Sequence, residues 1–258
     1  VTESEWLAAT DPMPLLAFCQ GQPTRRKGIL YTCAGLRQIW SALYDDVSRT
    51  AVDVAERHAE GLASSDEIKL ASYEAEAPTF GYGFDATRLR EWGRTSQNDV
   101  AIRRLIKLGA FTESDLAGDG AMVDDETIGR LINASHIAYH ALYMSDGLPR
   151  GHILEHISIQ ADWPGAWLTR EIVGNPFRPV AVDPAWLAWN GGVVGRLAER
   201  AYQERELPSG HLDAGRLALV ADALEDAGCT VTGILGHLRS AGHHVRGCWA
   251  VDLLTARN

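Results

Sequence analysis

The stretch Ile29-Leu30-Tyr31-Thr32-Cys33-Ala34-Gly35-Leu36-Arg37-Gln38-Ile39-Trp40-Ser41-Ala42-Leu43 decides the fold class. Ile29, Leu30, Cys33, Leu36, Ile39, Trp40 and Leu43 recur at steps of three and four, the stripe that a helix presents to a core. A half-buried strand would alternate at every second residue instead. Upstream, Thr2-Glu3-Ser4-Glu5 has the spacing of a capping box ahead of Trp6 and Leu7. Asp11-Pro12 opens a second short helix through Leu15, Leu16, Phe18 and Cys19. Downstream, Ser48 to Gly61 repeats the helical period and Ser65-Asp66-Glu67 starts another helix.

The pattern resumes further on. Asp124 caps a long helix through Ile128, Leu131, Ile137 and Leu142, and Gly147-Leu148-Pro149 breaks it before a partner helix from about Arg150 to Ile159. Ala166 to Val173, a short helix after Asp183-Pro184, Val193 to Arg205, Asp213 to Ala227 and Thr230 to Ala241 follow. Strands never alternate with these helices, so the fold is read as all-α, a multi-helix orthogonal or bundle-like packing without a substantial sheet. A change of composition at Ala77 to Gly83 divides the chain into 1–76, 77–166 and 167–258, expected to pack as one compact unit. Leu36, Trp40, Trp186, Leu224 and Trp249 are expected in its interior.

The 258 residues are 46% hydrophobic and 22% charged, ordinary globular usage that excludes wholesale disorder and collagen-like or low-complexity chains. The 34 acidic side chains against 24 basic ones leave a net charge of −10, which opposes long tracking of a nucleic-acid backbone unless positive charge is segregated. No run approaches the roughly 18 apolar residues of a membrane span. Val1 to Trp6 is acidic where a secretory signal is basic and then apolar. A cytoplasmic protein is expected. Cys19, Cys33, Cys229 and Cys248 are scattered without a C-x-x-C pair, which argues against a disulfide scaffold or zinc ribbon.

Both ends of the chain carry family markers. TESEWLAATDPMPLLAF from Thr2, LRQIWSAL and AVDVAERHAEGLA stand at the N-terminal end. REIVGNPFRPVAVDPAWL from Arg170, ALVADALEDAGC from Ala218 and HVRGCWAVDLL from His244 stand at the C-terminal end. These words resemble an uncharacterised family of proteins abundant in planctomycete genomes. The resemblance implies a lineage and a helical architecture, with no activity attached. Relatives often fill the middle with Ala/Trp-rich helical repeats, and residues 69–166 depart from that.

The sharpest chemical signal is His152-Ile153-Leu154-Glu155-His156. It matches H-x-x-E-H, the inverted zincin pattern, in which two histidines one turn apart bind zinc and the glutamate activates water. His136 and His140 form a second pair four residues apart, and a hairpin turning near Leu148 sets His140 level with His156. The implied site has His152, His156, His140 and His136 as metal ligands and Glu155 as catalytic base. An inverted zincin also has a sheet-containing fold, which is not read here. The leading expectation is therefore that this face packs dry against Leu and Ile, with its imidazoles held by hydrogen bonds. Three of them converging on one point contradicts that expectation.

Cys229, His237, His244 and Cys248 are the second choice for zinc, with the donor types of a Cys2His2 site. On a helix from Thr230 to Ala241, Cys229 and His237 lie about 12 Å apart along the axis, near the limit for sharing one ion. Cys229 and Cys248 are accordingly expected as small buried hydrophobes beside Trp249. Arg88, Arg90, Arg94, Arg103, Arg104 and Lys107 segregate positive charge between residues 86 and 110, opposed by Glu91 and Asp99. With Trp92 they can hold a phosphate or a nucleic-acid strand, although a solvated helix face is the expected role. P-loop, dinucleotide-binding and nucleophile-elbow motifs are absent. The sequence thus predicts a helical binding or accessory protein that recognises another macromolecule, a protein partner, and needs no cofactor. The alternative is a zinc-dependent hydrolase at His152, Glu155 and His156.

Overall fold

The computed structural model describes residues 1–19, 24–43, 45–79, 125–142, 148–149, 152–160 and 163–257, without the side chains at 77–79, 125–132 and 152. Among these residues there are thirteen α-helices and no strand, so the protein is all-α. Two single antiparallel bridges, Arg205 with Leu212 and His211 with Val245, are the sheet-like pairings among them. No helix among the described residues is long and apolar enough to cross a membrane.

The chain divides into two compact units rather than three consecutive segments. The first comprises Val1–Ala34, Asp146–Leu148 and Pro164–Asn258, and the second Gly35–Ser145 and Pro149–Trp163. Sequence order hides this, because the N-terminal helices fold with the C-terminal ones.

In the first unit, α1 (Glu3–Ala8) starts at the expected capping box: the Glu5 amide donates to Thr2 Oγ1 and the Thr2 amide to Glu5 Oε2. Trp6 on α1 is fully buried, and α2 (Met13–Phe18) buries Leu15 and Leu16. Helix α3 (Arg25–Gln38) follows, with its residues up to Ala34 in this unit. The chain re-enters it at α8 (Ala166–Val173), whose Arg170 donates to the carbonyls of Trp6 and Ala9. Those bonds satisfy carbonyls that α1 leaves open at its C-terminal end. The remaining helices are α9 (Pro184–Ala188), α10 (Val193–Gln203), α11 (Ala214–Asp226), α12 (Thr232–Leu238) and α13 (Trp249–Leu254). Val194, Tyr202, Leu217, Leu224, Ile234, Leu238, Val251 and Leu254 form their common core.

A buried ion cluster fastens α13. Asp252 is 2% exposed and accepts from Arg26 at 2.7 Å and Lys27 at 2.6 Å, both on α3. Lys27 also donates to the carbonyls of Ile172 and Gly247. Gly247 has φ +88°, and a Cβ there would come within 2.9 Å of Ile172 and 3.1 Å of Leu30. Only glycine tolerates both the backbone conformation and the close approach.

The second unit holds the end of α3, a 3-10 turn at Trp40–Ala42, α4 (Asp46–Ala59), α5 (Ser65–Thr79), α6 (Asp125–Ala141) and α7 (His152–Ile159). Arg37 makes a two-point bond to Glu56, both distances 2.7 Å, and both residues are buried. A Cβ at Gly35 would overlap the Trp163 ring.

Leu36 and Leu224 are fully buried, as the stripe predicts, whereas Trp40, Trp186 and Trp249 are half-buried. Trp40 explains the difference best. The Arg37 guanidinium lies 4.9 Å and that of Arg49 5.7 Å from its ring. A large indole that carries cations on its face sits at a core's edge rather than its centre.

Candidate metal centre

Four donor side chains converge inside the first unit: Glu171, His237, His244 and Cys248, with their ligand atoms within 4.8 Å of one another. Glu171 projects from α8, His237 from the last turn of α12 and His244 from the loop that follows. Cys248 is the residue on which α13 begins. Glu171 is 4% exposed, His244 1% and Cys248 0%, while His237 retains 19% and faces the outside.

The distances distinguish two kinds of chemistry. His237 Nε2 is 3.2 Å from Glu171 Oε2 and 3.2 Å from Cys248 Sγ. In a nucleophile–base–acid relay the thiol and the acid engage opposite ring nitrogens. Here one nitrogen faces both, and a single N–H or lone pair cannot serve both as a relay. One cation placed between them can.

His244 leads to the same point. Its Nε2 lies 3.1 Å from Ser240 Oγ and 3.4 Å from the Ser240 carbonyl. Its Nδ1 then faces Glu171 Oε1 at 3.3 Å. When Nε2 donates to Ser240, Nδ1 can present its lone pair to a cation shared with the carboxylate. Ser240 is placed to accept from the ring nitrogen that faces away from the cluster, the outer-shell bond that a metal-bound histidine uses.

Electrostatics point the same way. Burial works to raise the Glu171 carboxyl, but hydrogen bonds from His237 and His244 overcome it and hold the group down at about 2. Burial pushes the Cys248 thiol well up, and the Glu171 charge adds to this, against the opposing amides of Val251 and Ala250. His244 loses by burial and gains more from Glu171, so it is raised. A dication would reverse the penalty on the thiol. With one carboxylate, one thiolate and two neutral imidazoles, a +2 ion leaves no net charge in the buried site.

The geometry fits zinc. Bonds of about 2.0–2.1 Å to nitrogen or oxygen set neighbouring tetrahedral ligands about 3.3 Å apart. The two Glu171–histidine contacts are 3.2 and 3.3 Å. The histidine–sulfur contact of 3.2 Å lies inside the corresponding edge of about 3.6 Å, so an ion would spread this pair slightly.

The cluster lies along a cleft of about 550 Å³ that belongs to the same unit. Trp6, Trp167 and Trp249 line it with Glu171, His237 and His244. The Trp249 ring is 4.9 Å from that of His237, and the His237 and His244 rings meet edge to face.

Three of the second-choice residues, His237, His244 and Cys248, are thus brought together, and Cys229 is not among them. Cys229 is buried in the apolar core, where its amide closes the end of α11 on the Leu224 carbonyl. Cys248 is buried as expected of a small hydrophobe, yet it stands among polar donors. The fourth member, Glu171, was not singled out from the sequence. It follows no spacing rule relative to His237, and its signal is three-dimensional: a carboxylate on the buried face of α8.

In the second unit, His136, His140 and His156 also converge within 4.8 Å. The expectation that this face packs dry does not hold, because all three are half-exposed and meet one another. One part of it does hold, since His156 Nδ1 bonds to Asn133 Oδ1. Glu155 is exposed, and the His152 side chain lies outside the described residues. Arg88, Arg90, Arg94, Arg103, Arg104 and Lys107 also lie outside them. No family model, no curated protein and no solved structure matches the chain.

Proposed function

We propose that this protein is a zinc-binding helical protein whose ion is held by Glu171, His237, His244 and Cys248 and fixes one wall of a recognition cleft. The observation that carries the reading is the placement of His237 Nε2, at equal distance from a buried carboxylate and a buried sulfur. Four protein ligands, three of them 4% exposed or less and His237 19%, complete a tetrahedral set, which is the structural rather than the catalytic pattern. The ion's work is to tie α8, α12 and the start of α13 together. The cleft beside it, with three tryptophans, is where the protein recognises its partner molecule. The hydrolase alternative at His152, Glu155 and His156 has weaker support, because Glu155, its base, is exposed.

Cobalt(II) substitution tests the site. The expected result is one tightly held equivalent with a near-ultraviolet sulfur-to-cobalt charge-transfer band, lost in Cys248→Ser and in His244→Ala. Folded protein that takes up no cobalt, or takes it up without the sulfur band, overturns the proposal.

A further inference from the structure

The histidine cluster of the second unit uses none of the residues above and is built differently. His136 and His140 stand one turn apart on α6, which places both on one face. His156 comes from α7. The His136 and His156 ring centroids are 4.7 Å apart, and His140 lies 6.2 and 6.3 Å from the two.

Asn133 sets the third ring. Its Nδ2 donates to the His156 carbonyl at 2.8 Å and to Gln160 Oε1 at 2.8 Å. The backbone carbonyl only accepts, so the amide orientation is fixed and Asn133 Oδ1 is the acceptor. His156 Nδ1, 2.5 Å from that oxygen, therefore carries the proton. Nε2 remains as the lone-pair nitrogen, the arrangement in which a neighbouring acceptor orients a metal-binding imidazole.

We propose that His136, His140 and His156 bind a second divalent first-row ion, with its fourth position open to water or a small anion. Three imidazoles suit zinc, copper or nickel, and a three-ligand set with one vacant position is the open type of site. The three imidazoles are neutral ligands and take none of the ion's +2 charge. Half-exposed rings leave that charge in contact with water, which a closed site could not do. The ligand atoms, within 4.8 Å of one another, must draw in to about 3.3 Å, which side-chain rotation supplies.

The test is a cobalt(II) titration of the full chain followed in the visible and near-ultraviolet. The expected result is a second equivalent whose spectrum lacks the sulfur band and shifts on adding azide. His140→Ala weakens that equivalent at least 100-fold and leaves the sulfur-bearing one unchanged. His136→Gln is the second variant, with the same expected loss. Saturation at a single equivalent bearing the sulfur band overturns this proposal and leaves the first standing. Saturation at one azide-sensitive equivalent without that band does the reverse. Two equivalents retained by both variants also overturn it.

Discussion

The two histidine clusters of this molecule share a residue type and differ in everything that decides what a metal does. In the first unit the donors are mixed, two of them anionic once a metal is bound, and all but His237 are sealed. In the second they are three half-exposed imidazoles, neutral as ligands. Burial demands charge balance, so the sealed cluster needs a carboxylate and a thiolate to match a dication. Exposure removes that demand and leaves a coordination position for water. On the proposed reading, the same histidine chemistry serves a structural ion in one place and an exchangeable one in the other.

The largest effects should come from the ion pairs that fasten each unit. Asp252→Ala leaves the half-buried Arg26 and Lys27 without their carboxylate and should cost about 3 kcal/mol in urea unfolding. Cobalt uptake at the sulfur-bearing site should weaken with it, while the imidazole site titrates as before. Arg37→Met strands Glu56 in the other unit and should do the converse. If either variant weakens both sites equally, the contrast between independent centres breaks.

Removing the metals comes next. An ion present at about a thousand times its dissociation constant stabilises by about 4 kcal/mol. At roughly 2–4 °C per kcal/mol, a strong chelator should lower the melting temperature by about 8–16 °C. Cys248→Ser should abolish most of that difference and His140→Ala little of it. An equal contribution from the two clusters would contradict the assignment of the structural role to the sealed one.

The smallest effects sharpen the comparison at the outer contacts. Ser240→Ala removes a hydrogen-bond partner of His244 Nε2 and should weaken the sealed site about 10-fold, since the Ser240 carbonyl still accepts. Asn133→Leu removes the acceptor of His156 Nδ1 and should weaken the open site about 10- to 100-fold. Competition with a coloured chelator reads both.

Much of the fold was legible because helices announce themselves locally. The stripe from Ile29 to Leu43, the capping box at Thr2 and the helix starts after Asp183 and Asp213 are all observed, with α3 ending at Gln38 and a 3-10 turn at Trp40–Ala42. The division into units was not legible, because it depends on bonds such as Arg170 to Trp6, 164 positions apart. The site was legible where spacing carries it. His136 and His140 one turn apart follow from helix geometry, and His156 joins them as the sequence pattern allowed. The distance argument that separated Cys229 from His237 also agrees with their separate places. Glu171 escaped because a lone glutamate on an amphipathic helix reads as a solvated charge, and only the packing of α8 puts it on the buried face.

The most direct measurement of the central claim is X-ray absorption at the zinc edge, on protein purified without added metal and treated with a mild chelator that clears exchangeable ions. The account predicts one retained zinc per chain with a single sulfur neighbour at about 2.3 Å and three nitrogen or oxygen neighbours at about 2.0–2.1 Å. A folded chain without zinc, or retained zinc with no sulfur in its shell, would contradict it.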